Sequence, residues 1–251
     1  GTQEGLFIKR NQVEIPEKFY LLKDNGRLFI TGMIRDSKHR IWISSAMGVF
    51  MIEDCKMPVK NIKHFPLLKE DERNFVNAVY TGGNGLIYAV KRLRVYEYDE
   101  SGNDFNLAVN LNAEKARKAS LISITAFYSD NSCLMLGTNA GLALIRKENK
   151  TFSSPEWFVH DRNNKNSLRS SSIYHIAKSS NGNYWLGTAN GLTRLRQQNG
   201  QWEFTNYSTE NNISNNTIYT CVPESASGLL WLSTNGGLTR FDPDGKRTVN
   251  F

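Results

Sequence analysis

The sequence predicts an all-β protein, a β-propeller of four-stranded antiparallel blades, and three observations carry that prediction. An apolar segment ending in Gly-Thr or its equivalent recurs along the chain, its copies lie 43 to 50 residues apart, and each interval divides into four strand-length runs separated by turn residues. Repetition with this period and this content builds sheets arranged around an axis.

The recurrence is direct. Tyr184-Trp185-Leu186-Gly187-Thr188-Ala189-Asn190-Gly191-Leu192-Thr193-Arg194-Leu195 aligns without gaps on Leu230-Trp231-Leu232-Ser233-Thr234-Asn235-Gly236-Gly237-Leu238-Thr239-Arg240-Phe241. Leu134 to Leu142 is a third copy, Ile41 to Val49 a fourth, and Gly1 to Leu6 a truncated fifth. A degenerate sixth, Ile87 to Val95, is located by Gly85 and Gly102, which match Gly228 and Gly245. Helical repeats of similar length would place apolar residues at every third and fourth position, whereas these are short apolar runs punctuated by Gly, Asn and Asp.

Each unit reads as four strands. In the last, strand a is 217–222, strand b 229–234, strand c 238–242 and strand d 247–251, with turns at Ser225-Ala226-Ser227-Gly228, Asn235-Gly236-Gly237 and Pro243-Asp244-Gly245. Strand b is apolar on successive residues, as a strand covered on both faces requires. The Gly or Ser that follows lets neighbouring blades approach closely. By this count the chain enters at strand c of a partial blade and runs through five complete ones, read as one domain over 1–251 and as an excerpt of a longer polypeptide.

Composition narrows the function classes. With 39% apolar residues, 22% charged, thirteen Phe, ten Tyr and five Trp, the chain has the make-up of a globular domain. Its longest apolar runs, such as Val49-Phe50-Met51-Ile52, are strand-length, so any membrane attachment is expected through segments outside this sequence. Cys55, Cys133 and Cys221 lie far apart, which supports neither a disulfide framework nor a zinc site. The net charge of +7 favours anionic partners, but the basic residues are scattered, and no nucleic-acid partner is expected.

Residues shared by the blades read first as blade geometry. Trp42, Trp185 and Trp231, with Tyr88 at the equivalent place, fit either an inter-blade core or an aromatic sugar platform, and their repetition favours the core. Thr138, Thr188 and Thr234 open a T-x-x-G turn in which a hydroxyl caps the backbone and Gly141, Gly191 and Gly237 supply positive φ.

Residues that break the pattern are the candidates for function. Where other blades have T-x-x-G, the third unit reads Lys91-Arg92-Leu93-Arg94: three cations able to face an acidic ligand, or a degenerate blade with a solvated turn. His175 lies on strand a, expected to line the central channel, beside Tyr174, and Tyr219 is the matching position in the next blade. These read as ligand contacts or as packing. The candidate ligand-binding set is therefore Lys91, Arg92, Arg94, Tyr174, His175 and Tyr219. No G-x-S-x-G, H-E-x-x-H, P-loop or C-x-x-C is present, so no catalytic residue, metal ligand or cofactor is assigned.

The run Asn166-Ser167-Leu168 … Ile173 … Gly182-Asn183-Tyr184-Trp185-Leu186-Gly187-Thr188 … Gly191-Leu192-Thr193-Arg194, and its echo from Asn212 to Pro243, resemble the two-component regulator propeller repeat. The resemblance is strong in the last three blades, fair around Trp42 and poor around Lys91. It implies the periplasmic sensor of a membrane-bound hybrid histidine kinase of the Bacteroidetes type, built on seven-bladed propellers, dimeric in the full-length protein and responsive to an oligosaccharide. The family repeat has no fixed binding residues to transfer. Two rivals stand beside this reading: a lyase-type propeller enzyme with a metal and a face-bound His, and a structural interaction propeller without a small ligand.

Overall fold

Strand b of the repeats is apolar on consecutive residues, and β8, β12 and β17 are buried on both faces. A computed structural model describes residues 6–9, 17–21, 28–54, 60–67, 75–111, 123–148, 151–225 and 227–251, divided between two compact units, 1–113 and 114–251. The truncated repeat at Gly1 to Gly5 and Cys55 lie outside the described residues.

The first unit opens with the pair β1 (Leu6–Ile8) and β2 (Glu17–Phe19). Two four-stranded antiparallel sheets follow in chain order, β3 (Ile30–Arg35), β4 (Ile41–Ser45), β5 (Gly48–Asp54) and β6 (Lys60–Phe65), then β7 (Ala78–Thr81), β8 (Ile87–Lys91), β9 (Arg94–Asp99) and β10 (Asp104–Asn110). One apolar cluster joins the two sheets: Trp42, Val49 and Met51 of the first pack with Val79, Ala89 and Tyr98 of the second. Trp42 is fully buried, its indole N–H donating to Asp36 Oδ2 at 2.8 Å.

The second unit repeats the plan three times. Its sheets are β11 (Ile124–Ser129), β12 (Cys133–Thr138) and β13 (Gly141–Glu148) with β14 (Thr151–Phe152) and β15 (Glu156–Phe158); then β16 (Ile173–Lys178), β17 (Tyr184–Thr188), β18 (Gly191–Gln198) and β19 (Gln201–Tyr207); then β20 (Ile218–Pro223), β21 (Leu230–Thr234), β22 (Gly237–Phe241) and β23 (Val249–Asn250). The fourth strand of the first of these is broken. β14 and β15 both pair with β13, separated by Ser153-Ser154-Pro155, where proline offers no ladder donor and the Ser153 hydroxyl takes the Arg146 N–H at 2.9 Å instead.

Within each unit, consecutive sheets pack face to face, the blade-on-blade arrangement of a β-propeller. Among the described residues, four four-stranded sheets, the sheet whose fourth strand is broken into β14 and β15, and the β1–β2 pair match the sequence count of five blades and a partial one, with the last fourth strand shorter than the expected 247–251. Two glycine positions explain the repeat. Gly187 sits where a Cβ would lie 2.8 Å from the Ile218 carbonyl of the next blade, so only a bare Cα permits that approach. Gly191, at φ 118°, takes the Thr188 hydroxyl on its carbonyl at 2.7 Å and lies against the Tyr207 carbonyl of strand d. The same hydroxyl bond closes the turns at Ser45, Thr138 and Thr234.

Among the described residues, no helix is long and apolar enough to cross a membrane.

Candidate functional site

Strand a begins with a β-bulge in four of the blades. The register slips between Ile30 and Gly32, Ile124 and Ala126, Ile173 and His175, and Ile218 and Thr220, which makes Thr31, Thr125, Tyr174 and Tyr219 the extra residues. A bulge re-aims the side chain it carries. In two blades that side chain is a threonine spent on structure: Thr31 donates to the Val76 carbonyl at 2.7 Å, just before strand a of the following blade, and Thr125 donates to the carbonyl of Ile173, the first residue of the next strand a.

In the other two blades the position carries tyrosine. Tyr174 and Tyr219 stack with ring centroids 5.6 Å apart and planes 23° from parallel. They are 36% and 47% exposed, so both rings remain open to a ligand. The Tyr219 hydroxyl donates to Asn235 Oδ1 at 2.9 Å, which ties that ring to the b–c turn of its own blade. Asn235 was not legible as a site residue, although its turn position is shared with Asn139.

His175 turns toward the next strand. Its Nδ1 accepts the Cys221 N–H at 3.4 Å and lies 3.5 Å from Cys221 Sγ. Burial lowers its pKa below the ordinary imidazole value, so the imidazole is neutral at pH 7. Cys221 is wholly buried; burial pushes its thiol up to about 12, and it stays a thiol with no nucleophilic character. The structure thus brings Tyr174 and Tyr219 together as exposed rings and turns His175, next in the chain to Tyr174, onto Cys221 of the following blade.

The cationic set is arranged differently. Lys91, the last residue of β8, is 3% exposed and donates from Nζ to the Leu67 carbonyl at 3.3 Å. Arg92 adopts the left-handed region at φ 55°, is exposed, and gives its backbone N–H to Asn77 Oδ1 at 2.7 Å. Arg94 opens β9 opposite Lys91. Lys91 points inward and Arg92 outward, so these side chains do not converge as a three-cation turn, and all three lie in the first unit, apart from the tyrosine pair's unit.

At the other end of the strands in the second unit, charge is abundant and paired. Asp130 receives Lys178 Nζ at 2.9 Å, the Tyr128 hydroxyl at 3.0 Å and the Ser132 hydroxyl at 2.7 Å. Burial raises its carboxyl, but Lys178, Ser132 and the neighbouring amides outweigh burial and hold it far below the usual carboxylate range. Arg240 grips Glu224 through two bonds of 2.7 and 2.8 Å, which, with Ser227, lower that carboxyl to about 2. Among the described residues, no three His, Cys, Asp or Glu side chains gather in a metal-binding group.

Residues 167–190, covering strand a and the Tyr184-Trp185-Leu186-Gly187-Thr188 run of one blade, match the family model of the two-component regulator propeller. That segment is similar to the two-component regulator propeller repeat. No curated protein matches the sequence. Among solved structures, the repeat-bearing chain is similar to the extracellular domain of a hybrid two-component system from B. thetaiotaomicron, with TM-score 0.69 and 21% identity over 97% of this chain and 31% of that one. A second such domain from the same organism gives TM-score 0.55 and 17% identity over 100% and 39%. Virginiamycin B lyase from Staphylococcus aureus gives TM-score 0.59 and 15% identity over 88% and 69%. At these identities the likeness is one of fold, and the propeller-repeat chain spans about a third of the length of the sensor domains it matches.

Proposed function

We propose that this chain is a propeller portion of the extracytoplasmic sensor of a hybrid two-component histidine kinase, that it acts in the periplasm, and that it binds an oligosaccharide. The regulator-propeller match and the fold shared with extracellular sensor domains support the sensor role. The observation that carries ligand binding is the Tyr174–Tyr219 pair, two exposed aromatic rings held by consecutive bulges at a position that two other blades use for a structural threonine. Aromatic rings held open in this way present an apolar face and a polar edge to the same ligand, which suits the CH-rich faces and hydroxyl rims of sugars. Signalling then passes through a homodimer and segments outside this sequence.

Isothermal titration of the chain against a glycan panel tests the reading. Saturable heat with at least one oligosaccharide is the expected result; flat traces with every glycan, on a sample whose circular dichroism and melting show it folded, overturn it.

A further inference from the structure

The ends of the strands around the tyrosine pair share one feature. In the second unit the strand a starts and b–c turns comprise residues 123–126, 138–141, 170–176, 188–191, 214–220 and 234–237. In a chain where 22% of residues are charged, these segments contain no Asp, Glu, Lys or Arg. Hydroxyls, carboxamides and the two tyrosines take their place. The register puts them at one end of the blades: Ile173 faces Thr188 and Ile218 faces Thr234, so every strand a start lies beside the b–c turn of its own sheet. Among the described residues, the connections leading into strand a carry Asp161, Arg162, Lys165 and Glu210, and two ionisable groups lie within or next to the segments themselves. His175 is held neutral by burial, and Arg169 donates its Nε to the Asn190 carbonyl at 3.0 Å, a bond that turns part of its donor set to the protein.

Resting on the sensor reading above, we infer that the ligand of the Tyr174–Tyr219 platform is an uncharged saccharide, recognised by ring faces and carboxamides without ion pairing. An ionised carboxylate or sulfate laid against two tyrosine rings loses hydration that the rings and carboxamides do not replace, and that loss is costly. A neutral polyol has no such penalty. Each of its hydroxyls both donates and accepts, and a carboxamide such as Asn235 offers both roles within one planar group. The exposed Asn139, Asn190 and Asn235 place carboxamides at three successive b–c turns, the Oδ1 atoms of Asn139 and Asn235 already accepting from the Ser123 N–H and the Tyr219 hydroxyl. Two ion pairs of this unit, Asp130 with Lys178 and Glu224 with Arg240, lie at the opposite end of strand a.

The experiment titrates the folded chain with two probe sets, neutral gluco-, xylo- and manno-oligosaccharides and acidic oligogalacturonides and sulfated disaccharides, each at low and high salt. A neutral saccharide should bind with an affinity that salt leaves unchanged. Tyr174→Ala and Tyr219→Ala should each weaken it by about tenfold or more, while Tyr219→Phe, which keeps the ring, stays within about threefold. Preference for an acidic saccharide, with affinity falling as salt rises, overturns the inference and leaves saccharide sensing intact. A neutral saccharide bound equally well by both alanine variants overturns the site and again leaves sensing intact. Silence from both sets overturns sensing and inference together.

Discussion

The two ends of the blades in the second unit are built from different chemistry on the same strands. At the a–b end, Asp130 collects an ammonium and two hydroxyls, and Glu224 a bidentate guanidinium. At the b–c end, threonine hydroxyls close the turns and two tyrosines stand open. The difference separates two tasks. Charged groups satisfied by one another tie turns and adjacent blades together, and they leave little for a ligand. An end stabilised by neutral turn bonds and bare-Cα packing keeps its side chains available. The first unit divides its ends otherwise, with Lys91 buried and Phe29 and Phe75, 6.0 Å apart, exposed beside the same strand starts.

If the ends are independent, damage to the core they share should affect both. Leu186 is fully buried between blades, and Leu186→Ala is expected to cost about 2–5 kcal/mol in denaturant unfolding, lowering ligand binding only through the unfolded fraction. Asp130→Asn strikes the charged end alone. It leaves Lys178 without its carboxylate and should cost about 1.5–3 kcal/mol, with saccharide affinity unchanged by calorimetry. A drop in affinity there would show that the two ends are coupled.

The same pair predicts a pH signature. Asp130's folded pKa lies below its ordinary 3.8, so its contribution is complete above that value and is lost as pH falls beneath it. Lys178's lies above its ordinary 10.5, so its contribution is complete below that value and is lost as pH rises through the raised pKa. Melting temperatures of wild type and Asp130→Asn should therefore differ steadily across the neutral range and converge in acid. A gap that persists at the lowest pH would assign the stability to something other than this carboxylate. The smallest change in stability belongs to the neutral end: Tyr219→Ala, at an exposed ring, should move stability by no more than about 0.5 kcal/mol in thermal unfolding while removing most of the binding.

Much of this was legible in one dimension. The Gly-Thr recurrence located every described blade, including the degenerate one at Ile87, because double-sided burial of strand b writes itself as an unbroken apolar run. Gly187 and Gly191 were readable as close-approach and positive-φ positions for the same local reason. Tyr174 and Tyr219 were readable as equivalent positions in neighbouring blades, but not as the extra residues of bulges. A bulge is a property of two paired strands and leaves no fixed mark on either one. The Lys91-Arg92-Leu93-Arg94 turn shows the converse. Its charge pattern is plain in sequence, yet whether an ammonium faces solvent or a carbonyl such as that of Leu67 depends on residues 24 positions away.

Strand content, repeat period and turn chemistry were set by residues within a few positions of one another, so the amino-acid order was enough to establish a propeller. The outward stacking of two tyrosines, the inward turn of Lys91 and the gathering of charge at one end arose only when separate blades packed. Each of them depends on a neighbour that is distant in the chain, and burial and desolvation act on that neighbour's position in space.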